Sequence, residues 1–166
     1  MEKNLQNEEA VKKFKKLVEE ITVCMFITGN NNEHDHTRPM YTIEVEENGT
    51  LWFFTDLRSI KVEEVTTDRK VHLAYAHPGK DSYLDTWGMA NVITDKQQIK
   101  AKWKPMLKAW FPNGPDDPSV ALLQVRPTEC YYWDSETGKM VEFLKMAASI
   151  VTAKKLAEGA EGSLSL

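Results

Sequence analysis

Between residues 22 and 133 the β-forming runs are joined mostly by turn signals, with two helical stretches among them, which leaves few architectures open. TVCMFIT at 22–28 is a short continuous apolar run and reads as a strand buried on both sides. The stretch 38–46 alternates, with Tyr41, Ile43 and Val45 on one face and Thr42 and Glu44 on the other. Glu-Asn-Gly at 47–49 is a hairpin signal, and TLWFFT at 50–55 is its return strand. VHLAYAH at 71–77, a Pro-Gly turn, and a long run at 82–94 make a second pair. Gly88 inside that run predicts a bulge or a close backbone approach. Runs at 120–125 and 130–133, joined through Arg126-Pro127, bring the count to six or seven. With no βα alternation, a doubly wound sheet is excluded. The pattern predicts a mainly β fold, a small antiparallel barrel with helices on its outside.

Helical spacing occurs before this pattern, at two places within it and after it. From Asn7, the apolar positions Val11, Phe14, Leu17, Val18 and Ile21 recur at helical spacing behind Glu8 and Glu9. A short helix starts near Ser59 and is expected to bury Ile60, Val62 and Val65 with Glu63 and Glu64 exposed. Asp95 can cap a third helix carrying Ile99, Trp103, Leu107 and Trp110 on one stripe, kinked or split at Pro105. A closing helix is expected at 140–156, and the Gly/Ser-rich end at 157–166 reads as a frayed tail.

A chain of 166 residues suits a single domain, 1–166. Its net charge of −4 offers no general attraction for nucleic acid. Lys12, Lys13, Lys15 and Lys16 are interleaved with apolar residues and followed by glutamates, as on the wet face of an amphipathic helix. No apolar run approaches the ~18 residues of a membrane span, and no secretory leader is visible. Cys24 and Cys130 stand far apart and outside any metal-ligand spacing, as in a reduced, cytoplasmic protein.

The chemistry concentrates after TLWFFTD. Arg58 and Lys61 flank a helix start, where the macrodipole disfavours cations by ~0.3–1 kcal/mol each. With the Ser59 hydroxyl they fit a bound anion, phosphate above all. The competing reading is ordinary solvated side chains, with Ser59 capping the helix. A P-loop is absent. Arg38-Pro39 opens its strand stiffly and aims a guanidinium either into a cleft or at a surface acid. Trp52, Phe53 and Phe54 read as core. Trp110-Phe111, beside a proline-rich loop, divide evenly between core and a planar-ring site. His34, Asp35 and His36 lie in an Asn-rich loop without a third rigid ligand, so no metal site is predicted. His72 and His77 fall on opposite faces of one strand with no shared task. Cys24 sits in an apolar strand as an inert thiol, and no nucleophile motif occurs, so no catalytic residue is assigned.

Together, Arg38-Pro39-Met40, GTLWFFTD, RSIK, VHLAYAHPGKDSY, Gly88, KAWFPNGPDDP and YYWD resemble the pyridoxamine 5′-phosphate oxidase-like flavin-binding split barrels. The likeness is closest to their general stress protein 26 branch. It runs in order from about Val11 to Trp133. The resemblance implies a six-stranded antiparallel split β-barrel with peripheral helices, a homodimer, and FMN held between the subunits. Carried over by position, Arg38, Pro39, Met40, Tyr41 and Thr42 would run beside the flavin, with Arg38 toward its phosphate. Phe54 and Thr55 would meet the ring, Ser59 and Lys61 the phosphate, and Trp110 and Phe111 the flavin of the partner subunit.

The departures from the pattern are specific. Ile60 replaces the middle arginine of the oxidases' Ser-Arg-Lys, with Arg58 a candidate substitute one turn away. Ile43 stands where the oxidases carry a substrate lysine, and EFLKMAASIV lacks their Arg-Leu-His clamp, so vitamin B6 oxidation is not expected. Asp85 and Trp87 on the Gly88 strand are expected to reshape the pocket mouth. The implied function is an FMN-dependent oxidoreductase of the general stress type, using a small-molecule redox substrate or NAD(P)H, whose donor would dock transiently because no GxGxxG occurs. The alternatives are a flavin-binding or sensor module without turnover, or a split barrel for F420 or haem.

Overall fold

The computed structural model describes residues 8–29 and 34–134, and the backbone of 140–143. Helix α1 (Glu8–Ile21) leads into β1 (Val23–Thr28), β2 (His36–Tyr41), β3 (Glu44–Val45) and β4 (Leu51–Asp56). Helix α2 (Ile60–Thr67) precedes β5 (Lys70–His77) and β6 (Ser82–Ile93). Helix α3 (Lys96–Lys102) and a 3-10 turn (Pro105–Ala109) precede β7 (Val120–Trp133) and β8 (Met140–Phe143). All pairings are antiparallel, in the order β2-β1-β5-β6-β7-β4-β3, with β8 added to the far half of β7. The fold is mainly β with flanking helices. In place of the expected six strands, eight strand elements are found among the described residues.

One covalent link forces this sheet to curl. β2 and β3 stand at opposite ends of the strand order, yet Tyr41 and Glu44 are three residues apart and can span at most about 11 Å. A flat sheet of these strands would separate its edges by ~29 Å. The changeover takes a single peptide: the Thr42 amide donates to Thr22 O on the β1 side (2.8 Å), and the Ile43 amide donates to Trp52 O on the β4 side (2.9 Å). The stretch 38–46 is therefore two strands. Tyr41 is exposed while Ile43 and Val45 are buried, against the expectation of one shared face. The hairpin signal holds, with Gly49 at φ 86 and its amide donating to Glu46 O.

Two apolar clusters form. The first fills the curl, where α1 lays Ala10, Phe14, Leu17, Val18 and Ile21 against Phe26, Phe53, Leu73, Leu84 and Leu123. Phe26 and Phe53 meet edge to face at 5.3 Å. Each such side chain contributes ~1.5–3 kcal/mol on burial. The second cluster lies outside β4, where Trp52 and Phe54 pack with Ile99, Leu107, Leu122, Trp103 and Phe111. This cover makes β4 the strand buried on both faces. β1 instead alternates, with Val23 and Met25 exposed, because no helix among the described residues covers its outer side.

The helices depart from expectation in three places. Asp95 caps α3 through the Gln97 and Gln98 amides, but the helix stops at Lys102 and Pro105 begins a separate turn. That break turns Trp110 off the buried stripe, leaving it 62% exposed. In α2, Val62 and Val65 are buried as expected, but Ile60 is 63% exposed and Glu64 turns inward. The start of the expected closing helix, 140–143, is strand, paired to β7. The rest of that helix and the tail at 157–166 lie outside the described residues. Among the described residues, no helix is long and apolar enough to cross a membrane.

Arg126-Pro127 does not end a strand. β7 runs through it, with Gly88 opposite Pro127 and Trp87 opposite Glu129, so Thr128 is the extra residue of a bulge. Both readings of Gly88 hold, since a Cβ there would lie 2.7 Å from the Arg126 carbonyl oxygen and 2.9 Å from Val125 Cγ1. Because the obstacle is backbone, Gly88→Ala is expected to destabilise the fold by ~1–3 kcal/mol. A lowered urea midpoint checks this, and an unchanged one contradicts it. Burial pushes the Cys24 and Cys130 thiols up to about 12. Neither is expected to alkylate in the native protein at pH 8, and both should label once urea unfolds it.

Candidate functional site

Strand β4 ends by delivering Thr55 to a turn that opens α2. The turn is tied down locally: the Ser59 amide donates to Asp56 O, and the Arg58 amide to Asp56 Oδ1 (2.8 Å). The Arg58 guanidinium folds onto the same carboxylate, Nε to Oδ1 at 3.0 Å and Nη2 to Oδ2 at 2.6 Å. Those bonds hold the Asp56 carboxyl down at about 2. Arg58 is largely exposed and already neutralised. It does not stand in for the charge that Ile60 lacks.

Lys61 behaves differently. Its ammonium turns back over the helix start and donates to Thr55 Oγ1 at 2.8 Å, with Ser59 Oγ at 3.4 Å. Ser59 occupies the N-cap position, but its side chain makes no capping bond. The hydroxyl faces Thr55 Oγ1 (3.4 Å) and the ammonium. Burial and then the field of Arg38 push the Lys61 pKa down, with Asp56 opposing more weakly. Among the described residues Lys61 has hydroxyl partners and no ion-paired carboxylate. A half-buried cation at the positive end of a helix, among hydroxyls, is short of one negative charge.

Arg38 reaches this neighbourhood from β2. Its Nη1 donates to Thr28 Oγ1 (2.7 Å) and its Nη2 to Glu64 Oε2 (3.2 Å). Glu64 also accepts from the Thr28 hydroxyl and pairs with His36 Nδ1. Burial raises the Glu64 pKa, but the bonds from Thr28 and His36, the field of His36 and the bond from Arg38 outweigh it, so the carboxyl lies below its ordinary value.

The other predicted residues divide. Pro39 and Tyr41 point outward. Met40 packs on the first core cluster, and Thr42 is buried with its hydroxyl 2.7 Å from Tyr75 Oη. Phe54 and Phe111 sit in the second cluster, 6.2 Å apart, with Trp103 edge-on to Phe54 at 5.6 Å. Only Trp110 of the aromatic pair is free on the surface. Tyr41 and Thr42 border an open cleft of about 800 Å³, shared with Lys15, Glu19, Ile43 and Lys104. That cleft does not contain Lys61.

Asp85 and Trp87 lie on the outward sheet face. His72 is not idle there, since its Nε2 meets Asp85 and its ring stacks on Trp87 at 4.4 Å and 2°. The residues missed by sequence reasoning are Thr28, His36 and Glu64. His36 and Arg38 share one face of β2 by simple alternation, and Thr28 is the register partner of His36. Beginning that strand at His36 rather than Arg38 finds all but Glu64.

Comparison with known proteins bears on the fold and the family. The family profile described as pyridoxamine 5′-phosphate oxidase like matches residues 9–157. The chain is 29% identical over 84 residues to general stress protein 26 of Bacillus subtilis, covering 48% of this chain and 59% of that protein. It is 24% identical over 112 residues to protein bli-3 of Neurospora crassa, covering 63% of this chain and 54% of that one. The matches thus span little more than half the length of these curated relatives. Among solved structures, a protein related to general stress protein 26 from Clostridium acetobutylicum superposes with a TM-score of 0.71 at 20% identity. That match covers 82% of this chain and 94% of the other. A general stress FMN/FAD binding protein from Xanthomonas citri gives 0.65 at 25% identity, over 91% and 99%. The chain belongs to the pyridoxamine 5′-phosphate oxidase-like family.

Proposed function

We propose that this protein binds FMN and serves in electron or hydride transfer, with the flavin phosphate held by Lys61, Ser59 and Thr55 in the field of Arg38. The observation that carries the reading is Lys61, half-buried and donating only to hydroxyls. A phosphate would supply the missing charge, and Ser59 and Thr55 can turn their hydroxyl protons to its oxygens. FMN, when bound, supplies the redox chemistry. The chain's own part is to bind, orient and shield it. The donor in this reading is NAD(P)H or a small-molecule redox substrate, in a reduced, cytoplasmic setting.

A homodimer belongs to the same reading. Val23, Met25, Tyr41 and Trp87 are 44, 42, 37 and 36% exposed on the outward sheet face. Val23 and Tyr41 are register partners, and Met25 lies between Pro39 and Ala74, so these side chains form one apolar stripe for a second copy to cover. Exposed Trp110 would reach across to the partner subunit's flavin. Vitamin B6 oxidation is not part of the proposal: Ile43, at the oxidases' lysine position, is only 4% exposed. A flavin-binding module without turnover is the second reading, favoured by the missing substrate clamp, and anaerobic mixing with NADH or NADPH separates the two by whether the flavin bleaches.

Lys61→Ala is expected to weaken FMN by about 10–100-fold, as for loss of a charge-assisted bond, while riboflavin affinity stays within about threefold. Arg58→Ala should leave both unchanged, because that guanidinium is occupied by Asp56. Fluorescence titrations of both flavins check this. Unchanged FMN affinity in Lys61→Ala, or an equal loss in Arg58→Ala, contradicts the proposal.

A further inference from the structure

We infer that Glu64 is a positioning residue for phosphate recognition: its carboxylate gathers Thr28, His36 and Arg38, and so fixes the guanidinium beside Lys61. This rests on the phosphate reading above. Three elements meet at one side chain. Thr28 comes from β1, His36 and Arg38 from β2, and Glu64 from α2, one turn beyond Lys61. The Glu64 side chain is only 10% exposed, so its bonds are made in a dry setting where geometry is well held.

The allocation of protons on Arg38 supports an anchor rather than a competitor. Nη1 is taken by Thr28 Oγ1 and faces Phe26 O at 3.5 Å, while one Nη2 proton goes to Glu64. The Nε proton has no partner among the described residues, and Nη2 carries a second proton beyond the one given to Glu64, so the guanidinium keeps donors to spare. A carboxylate that holds one nitrogen orients the group and leaves those donors unused. Thr28 completes the clamp, because its hydroxyl accepts from Arg38 and donates to Glu64. Arg38 is close enough to depress Lys61 electrostatically, so the two cations share one field. Without Glu64, a long side chain 21% exposed would carry an uncompensated charge among several rotamers. Sequence periodicity hides this role, since a glutamate beside Glu63 on a short helix reads as solvated surface.

The test compares FMN with riboflavin on the apo-protein, because their affinity ratio isolates the phosphate. Glu64→Leu removes the acceptors at similar volume, and the ratio is expected to fall about tenfold while riboflavin binding holds. Glu64→Gln keeps an oxygen for Arg38 and Thr28, and should stay within about threefold of the parent ratio. A ratio that is unchanged or rises in Glu64→Leu overturns the inference, the rise meaning that Glu64 competes with phosphate for Arg38. Equal weakening of both flavins also overturns it, as a structural role only. Should Glu64→Leu not fold, Thr28→Val removes the bridging hydroxyl and should lower the ratio about threefold, with no change counting against the inference. A parent protein with no preference for FMN over riboflavin would refute the phosphate reading itself, whatever the variants do.

Discussion

The changeover at Thr42 and Ile43 is the constraint on which the rest of the molecule depends. Their successive amides are hydrogen-bonded toward opposite ends of the strand order, Thr42 to Thr22 and Ile43 to Trp52, so the sheet has to close toward itself. Closing it creates the enclosed volume that α1 fills and brings β2 against β4. Arg38 on β2 and Thr55 on β4 are far apart along the ladder, and neither pairs with the other's neighbours. Only the curl lets them contribute to one electrostatic neighbourhood. The site is therefore a product of sheet geometry before it is a product of local sequence.

Within that neighbourhood the charges are sorted by solvent access. Arg58 lies outside, where a bidentate partner costs little and contributes little. Lys61 lies inside, where desolvation works against its charge, Asp56 opposes this only weakly, and no carboxylate is ion-paired to it among the described residues. Proteins seldom leave a half-buried ammonium in that condition unless a ligand completes it. Glu64 is not the compensating anion, since its oxygens are turned to Arg38, Thr28 and His36. Lys61 remains outside that group.

Most of the strands are legible from alternation and turn chemistry, and the cations at 58 and 61 single out the turn into α2, although only Lys61 faces its hydroxyls. What alternation missed has physical causes. The run at 38–46 keeps a polar-apolar rhythm through the crossing, so nothing in it reveals that the strand changes partners at Thr42. Proline at 127 normally ends a ladder, but the bulge opposite Gly88 gives a residue without an amide proton a place to sit. Val23 and Met25 look like core because an apolar stripe facing solvent in one chain has the same composition as one facing a helix. Ser59 reads as a cap from sequence alone, and only the fold turns its hydroxyl toward Lys61. The partition of Trp110 from Phe111 followed from where Pro105 broke the helix.

In the proposed reading Lys61, Ser59 and Thr55 hold the phosphate as a dianion. A phosphate monoester in water takes up its second proton near pH 6. Bound beside Lys61 and Arg38, it should resist protonation, because both cations favour the charged form. Phosphorus NMR of the FMN complex, titrated from pH 8 to pH 5, reads this directly. The account predicts a bound resonance whose shift stays flat through pH 6 while free FMN moves. A bound resonance that titrates like free FMN would contradict it.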